Sequence, residues 1–126
     1  MNPTVHLDMT APMEVGICCA NLDALLGFYV DVLGMTLVSR VTVPADKAAA
    51  TGLSRHGYEV ARLQTSYGER IKLLQPNAAP QAQPPAQAIL DRRNASYLTF
   101  IVRDLAGTVR RLAEHGVAFD SHPAPM

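Results

Sequence analysis

The chain is short of cysteine, of any excess charge and of long hydrophobic runs, and each shortage closes off a class of protein. Eleven Lys and Arg balance eleven Asp and Glu, for a formal charge of zero. A nucleic-acid surface or a polybasic membrane patch needs cations in excess on one face, so neither partner is expected. The only cysteines are the neighbours Cys18 and Cys19. Successive strand side chains point to opposite faces, so these two are poorly placed to bond each other, and two thiols make no disulfide framework. No apolar stretch approaches the roughly 18 residues that span a bilayer. The opening MNPTVHLDMTAP lacks the charged start and apolar stretch of a secretory signal. These absences leave the expectation of a cytoplasmic globular protein whose partner is a small molecule or a second copy of itself.

What is present suits one domain. A length of 126 residues with 48% hydrophobic content can bury an ordinary core. Met13–Ala20 (MEVGICCA) reads as a buried strand. Asn21 or Asp23 can cap a helix running to about Leu33, where Gly34 stops it, and Leu22, Leu25, Leu26, Tyr29 and Leu33 form an apolar stripe along it. Met35–Val43 is the next strand, ended by Pro44, and Ala45–Gly57 is a loop or short helical excursion. Tyr58–Thr65 and Arg70–Gln75 form a hairpin turning at Ser66–Glu69 around Gly68. Pro76–Gln87, rich in Pro, Ala and Gln, has the composition of a linker. Beyond it Ser96–Arg103 reads as a strand, Asp104 as a cap, Leu105–His115 as a helix stopped by Gly116, and Val117–Phe119 as the start of another strand.

The second half repeats the first. A shift of 83 residues carries Asn21 onto Asp104, and with it Glu14 onto Tyr97, Val15 onto Leu98, Ile17 onto Phe100 and Leu22 onto Leu105. In both halves an apolar strand runs into an Asn/Asp cap, a helix, a glycine and a further strand. The expectation is a duplicated unit: a first over residues 13–76, a linker over 77–94 and a second over 95–126, together one domain.

The stretch EVGICCANLDALLGFYVDVLGMTLVSR resembles the opening βαβββ unit of the glyoxalase/bleomycin-resistance/extradiol-dioxygenase (vicinal oxygen chelate) superfamily, and FYVDVLGM is its most specific piece. RIKLLQP resembles that unit's fourth strand, and YLTFIVRDL followed by LAEHG resembles the start of the second unit. The resemblance covers roughly residues 13–119 and implies an α+β fold of paired βαβββ units, their curved mixed sheets enclosing a cavity that dimerisation often completes. A full second unit would need two strands after Val117–Phe119, so the expectation is a longer native protein, or strands lent by a partner.

Metal-using members of that superfamily place one ligand, usually His, Gln or Glu, in each of four strands. The resemblance puts Glu14 at the first of these positions, Lys72 at the second and Tyr97 at the third, with the fourth beyond the chain. Lysine is a cation with no acceptor, and an un-ionised tyrosine is a poor ligand. A one-residue slip would offer Met13 or Ser96, which rescue nothing. No metal or other cofactor is therefore expected, a divalent ion being the alternative. The further expectation is that Glu14 and Lys72 pair in the vacated site, either as a structural pair or as a pair orienting a substrate.

By strand alternation Glu14 shares a face with Gly16 and Cys18, and Tyr97 with Thr99 and Ile101. The candidate ligand-binding set is Glu14, Cys18, Lys72, Tyr97 and Thr99, joined by Arg55 and His56 in a loop that could cover a pocket mouth. Cys18 without a nearby base reads mainly as packing, and a surface-loop histidine is ordinarily just solvated. His6 and His122, near the termini, are assigned nothing. The leading functional expectation is a homodimeric protein that holds a small organic molecule without the metal, as in sequestration-type resistance. The alternative is a lyase, isomerase or epimerase, or dioxygenase-like enzyme, metal-dependent or working through Glu14 and Tyr97.

Overall fold

A computed structural model describes residues 2–84 and 87–121; Pro85 and Ala86 of the expected linker, and His122, lie outside that range. The chain divides into two compact units between Gln81 and Ala82.

The first unit contains β1 (Glu14–Cys18), α1 (Leu22–Gly27), β2 (Thr36–Val43), α2 (Ala45–Ala50), β3 (Tyr58–Gln64) and β4 (Arg70–Pro76). The sheet order is β1-β4-β3-β2, with β1 parallel to β4 and the other pairs antiparallel. This is a βαβββ unit in which the β3–β4 hairpin fills the gap between the two strands joined by α1. Sequence explains the hairpin. The Glu69 carbonyl accepts from the Thr65 N–H at 3.0 Å, and the Thr65 hydroxyl accepts from the N–H groups of Tyr67 and Gly68. Gly68 sits at a φ of +120°, open to glycine and strained for other residues.

The start of α1 is fixed twice. The Asn21 side chain accepts from the Ala24 N–H at 3.1 Å, and the Leu22 N–H donates to Oε1 of Gln75 at 2.6 Å, tying the first helical turn to β4. Leu22, Leu63 and Leu73 are wholly buried, and with Ala61 they form the core between α1 and one face of the sheet. Each such leucine contributes about 1.5–3 kcal/mol relative to an exposed one. Arg40 of β2 clamps the rim of that face, reaching Asp23 and Glu59 at 2.9 Å each.

The helix does not simply continue to Leu33. It widens into a π-helical turn over Phe28–Val32, where the Leu33 N–H donates to the Phe28 carbonyl five residues back at 3.0 Å. Across the bottom of the sheet a bulge falls between Leu37 and Ser39, so that Leu37 opposes Leu63 and Ser39 opposes Arg62. The extra residue turns Ser39 to the face opposite the helix.

The second unit holds a short 3₁₀ turn (Ile89–Asp91) and α3 (Leu105–Glu114). The Asp104 side chain accepts from the Gly107 N–H at 3.0 Å, the same bond that Asn21 makes with Ala24. The two helices therefore start on the same kind of cap. At the helix ends, Gly34 and Gly116 both take a φ near +75° (75° and 79°). They are 82 residues apart, one fewer than the caps, and a π-helical turn inserts one residue into a helix.

Two expected strands are absent. Ser96–Arg103 and Val117–Phe119 carry no strand, although their pattern is strand-like. A strand is held by its neighbour's hydrogen bonds, and among the described residues of this unit no other strand stands beside them. Ile101 is 96% exposed as a result. Among the described residues no helix is long and apolar enough to cross a membrane.

Candidate functional site

The face of the first sheet opposite α1 carries the chemistry. Parallel pairing sets Glu14 against Arg70, Gly16 against Lys72 and Cys18 against Leu74, all pointing the same way. The hairpin adds Gln64 opposite Arg70, Arg62 opposite Lys72 and Val60 opposite Leu74. The Ser39, Val41 and Val43 positions of β2 complete that face. One end is apolar and partly roofed by α2, where Ala48 packs with Tyr58, Val60, Val43 and Leu74. The other end gathers Arg62, Arg70 and Lys72 around Glu14, the only carboxylate among the sheet residues of this face.

The expected Glu14–Lys72 pair does not form. Glu14 Oε2 lies 3.4 Å from Nε of Arg62, and among the described residues Lys72 has no carboxylate within 4.0 Å. Register gives the reason. Glu14 stands opposite Arg70, whereas Lys72 is one step further along, opposite Gly16, and its stem folds over that glycine: a Cβ placed at position 16 would lie 3.4 Å from the Lys72 Cε. The pair is also poorly aligned. Glu14 Oε2 is shut off from solvent and receives no hydrogen bond, and Nε of Arg70 is equally shielded and donates to nothing among the described residues. A buried carboxylate oxygen and a buried guanidinium N–H without hydrogen bonds are uncommon in folded chains and each costs free energy.

Arg62 and Arg70 are the site residues that the sequence reading passed over. The Arg62–Lys72 juxtaposition follows from a hairpin turning at Ser66–Glu69, so it was accessible in the sequence. Its contact with Glu14 was not, since that depends on the register of β1 against a strand more than fifty residues away.

Cys18 projects from the apolar part of the same face and is exposed. Cys19 turns away, and its thiol donates to the Leu74 carbonyl at 3.6 Å. Burial, aided by the neighbouring Cys18, raises the Cys19 pKa. Arg55 and His56 lie in the loop before β3, at the end of that strand remote from Gln64 and Glu14. Arg55 lines a shallow dent of about 320 Å³ with Ala49, Gly52, Leu53 and Ser54, and Glu14, Arg62, Arg70 and Lys72 take no part in it. The His56 backbone N–H donates to the Ser54 hydroxyl. Tyr97 and Thr99 belong to the second unit, in the segment without a strand, and both are exposed.

The donor set around Glu14 does not fit a divalent ion. One carboxylate is not enough, three cations beside it oppose a fourth, and no group of three His, Cys, Asp or Glu able to hold a metal occurs among the described residues.

Comparison with solved structures recovers this architecture. A glyoxalase family protein from Bacillus cereus matches with a TM-score of 0.64 and 26% identity, over 90% of this chain and 77% of its own. An integron cassette protein from the mobile metagenome of V. cholerae shares the fold at a TM-score of 0.56 and 20% identity, over 95% of this chain and 78% of its own. The βαβββ unit is thus that of glyoxalase-like proteins. The chain belongs to the Glyoxalase/Bleomycin resistance protein/Dioxygenase superfamily, which it matches over residues 6–126. No curated protein sequence matches it.

Proposed function

We propose that this chain binds a small organic molecule on the Glu14 face of its first unit, without a metal ion. The observation that carries the reading is the trio Arg62, Arg70 and Lys72 around a lone carboxylate, on the face that superfamily members turn toward their cavity. A metal site would need electron-pair donors there, and lysine and arginine offer none. The same residues are well suited to gripping polar groups of an organic ligand, while Val41, Leu74 and Cys18 supply apolar surface beside them. Binding needs affinity and no reacting group, which fits sequestration better than turnover.

The test is a thermal-shift screen of small organic molecules run in excess chelator. A compound that stabilises the native chain equally with and without chelator, and no longer stabilises Lys72→Met, supports the proposal. Stabilisation that vanishes in chelator and returns with a divalent ion would instead favour a metal-dependent lyase, epimerase or dioxygenase-like activity.

A further inference from the structure

We infer that the ligand of this face is an organic anion, a carboxylate or phosphate on a small apolar body, bound through Arg70 and Lys72; the inference rests on the binding role just proposed. The chain as a whole is neutral, yet this face gathers three cationic side chains against one carboxylate. Arg62 is already engaged by Glu14 at 3.4 Å. Among the described residues, that leaves Lys72 without an ion pair and Arg70 with a solvent-shielded Nε that donates to nothing. Both residues stand on β4, two positions apart and on the same side of the sheet. An oxyanion placed between them would give the Arg70 guanidinium an acceptor and Lys72 a counter-charge, and charge-assisted hydrogen bonds of this kind are about twice as strong as neutral ones.

The rest of the face sets the shape of the molecule. One step along the hairpin from Arg62–Lys72, the pair is Val60–Leu74, with Val41 beside Val60 and Cys18 beside Leu74. Val60, in the middle of the strip, is buried against Ala48 of α2, but Val41 is 46% exposed and Cys18 is exposed, so the strip is open to a partner at its two sides. A ligand reaching from the cations onto the strip is charged at one end and apolar at the other. An inorganic ion would use only half of the surface. Arg62 and Glu14, holding each other across β4, act as positioning residues: their pairing keeps the carboxylate out of an ion pair with Arg70 or Lys72.

The test is amide NMR of the isotopically labelled full chain, titrated to millimolar concentration with benzoate, phenyl phosphate, inorganic phosphate and the neutral benzamide. The expectation is that benzoate or phenyl phosphate shifts the amides of Glu14–Cys18 and Arg70–Leu74, and that benzamide binds at least about tenfold more weakly. Inorganic phosphate should be weaker than phenyl phosphate, and the tighter of the two organic anions identifies the head group. Lys72→Met, which keeps the stem over Gly16, should weaken the anion about tenfold and leave benzamide unchanged. Arg40→Gln, on the opposite face, should change neither. Equal binding of benzoate and benzamide on this face would overturn the inference and leave the binding role standing. No shift of this face with any probe would overturn both. The comparison of probes is made on the unaltered chain, so a variant that fails to fold does not blunt it.

Discussion

Glu14→Gln isolates the ion pair at the centre of the site. The substitution preserves size and removes the charge, leaving Arg62 unpaired beside Lys72 and Arg70. Two unit charges about 4 Å apart attract by ~4 kcal/mol at an effective dielectric near 20, before desolvation is subtracted. The Glu14 and Arg62 side chains are 24% and 33% exposed, so the pair lies between a surface bridge and a buried one. Exposed pairs contribute about 0.2–1 kcal/mol and breaking a buried pair costs about 3–5, which places this imperfectly aligned contact at about 1–2 kcal/mol. The expected fall in Tm is roughly 4–10 °C. A double-mutant cycle measured by urea unfolding identifies the partner: Glu14→Gln should couple to Arg62→Met by most of that energy, and to Lys72→Met by little. Coupling to Lys72 with none to Arg62 would refute the register argument. An unchanged Tm in Glu14→Gln would refute the claim that the pair is sheltered.

Other expectations follow from the same structure. Leu73→Ala opens a cavity beneath α1 and should cost about 2–5 kcal/mol by chemical denaturation, a loss that solvent exposure of that side chain would have made small. Exposed Cys18 should be alkylated well before Cys19, whose thiol is raised in pKa by burial; mass spectrometry of partly labelled protein reads the order, and equal rates would contradict the assigned faces. The Thr65 hydroxyl, with a backbone N–H, holds the Glu69 carboxyl below the usual 4.5. A depressed folded pKa means that its support of the turn is complete above the unfolded value and is lost as the pH falls through the folded one. Carboxyl NMR titration should therefore give a Glu69 midpoint below 4.5 that rises in Thr65→Val.

Much of the first unit was legible because its signals are local. Alternation in YEVARLQT and RIKLLQ, with Gly68 between them, defines a hairpin, and Asn21 followed by an apolar stripe defines a capped helix. The π-helical turn left no such trace on its own. Only the comparison of caps and terminating glycines between the halves, 83 residues against 82, betrays its extra residue. Residues 96–103 show the converse failure. Their composition favours a strand, but strand formation is decided by a neighbour that no local pattern contains. The charged face was legible by halves for the same reason. Glu14 and Lys72 stand out as misfits at ligand positions of a recognised family, whereas Arg62 and Arg70 gain meaning only when the parallel register of β1 and β4 sets them beside Glu14.

The most direct test of the central claim is the metal content of the full chain, determined by elemental analysis after dialysis against zinc, manganese and nickel salts and then against metal-free buffer. A site built from three cations and one carboxylate should retain far less than one ion per chain. Retention of about one ion per chain, lost on Glu14→Gln, would contradict the account and make Glu14 a metal ligand.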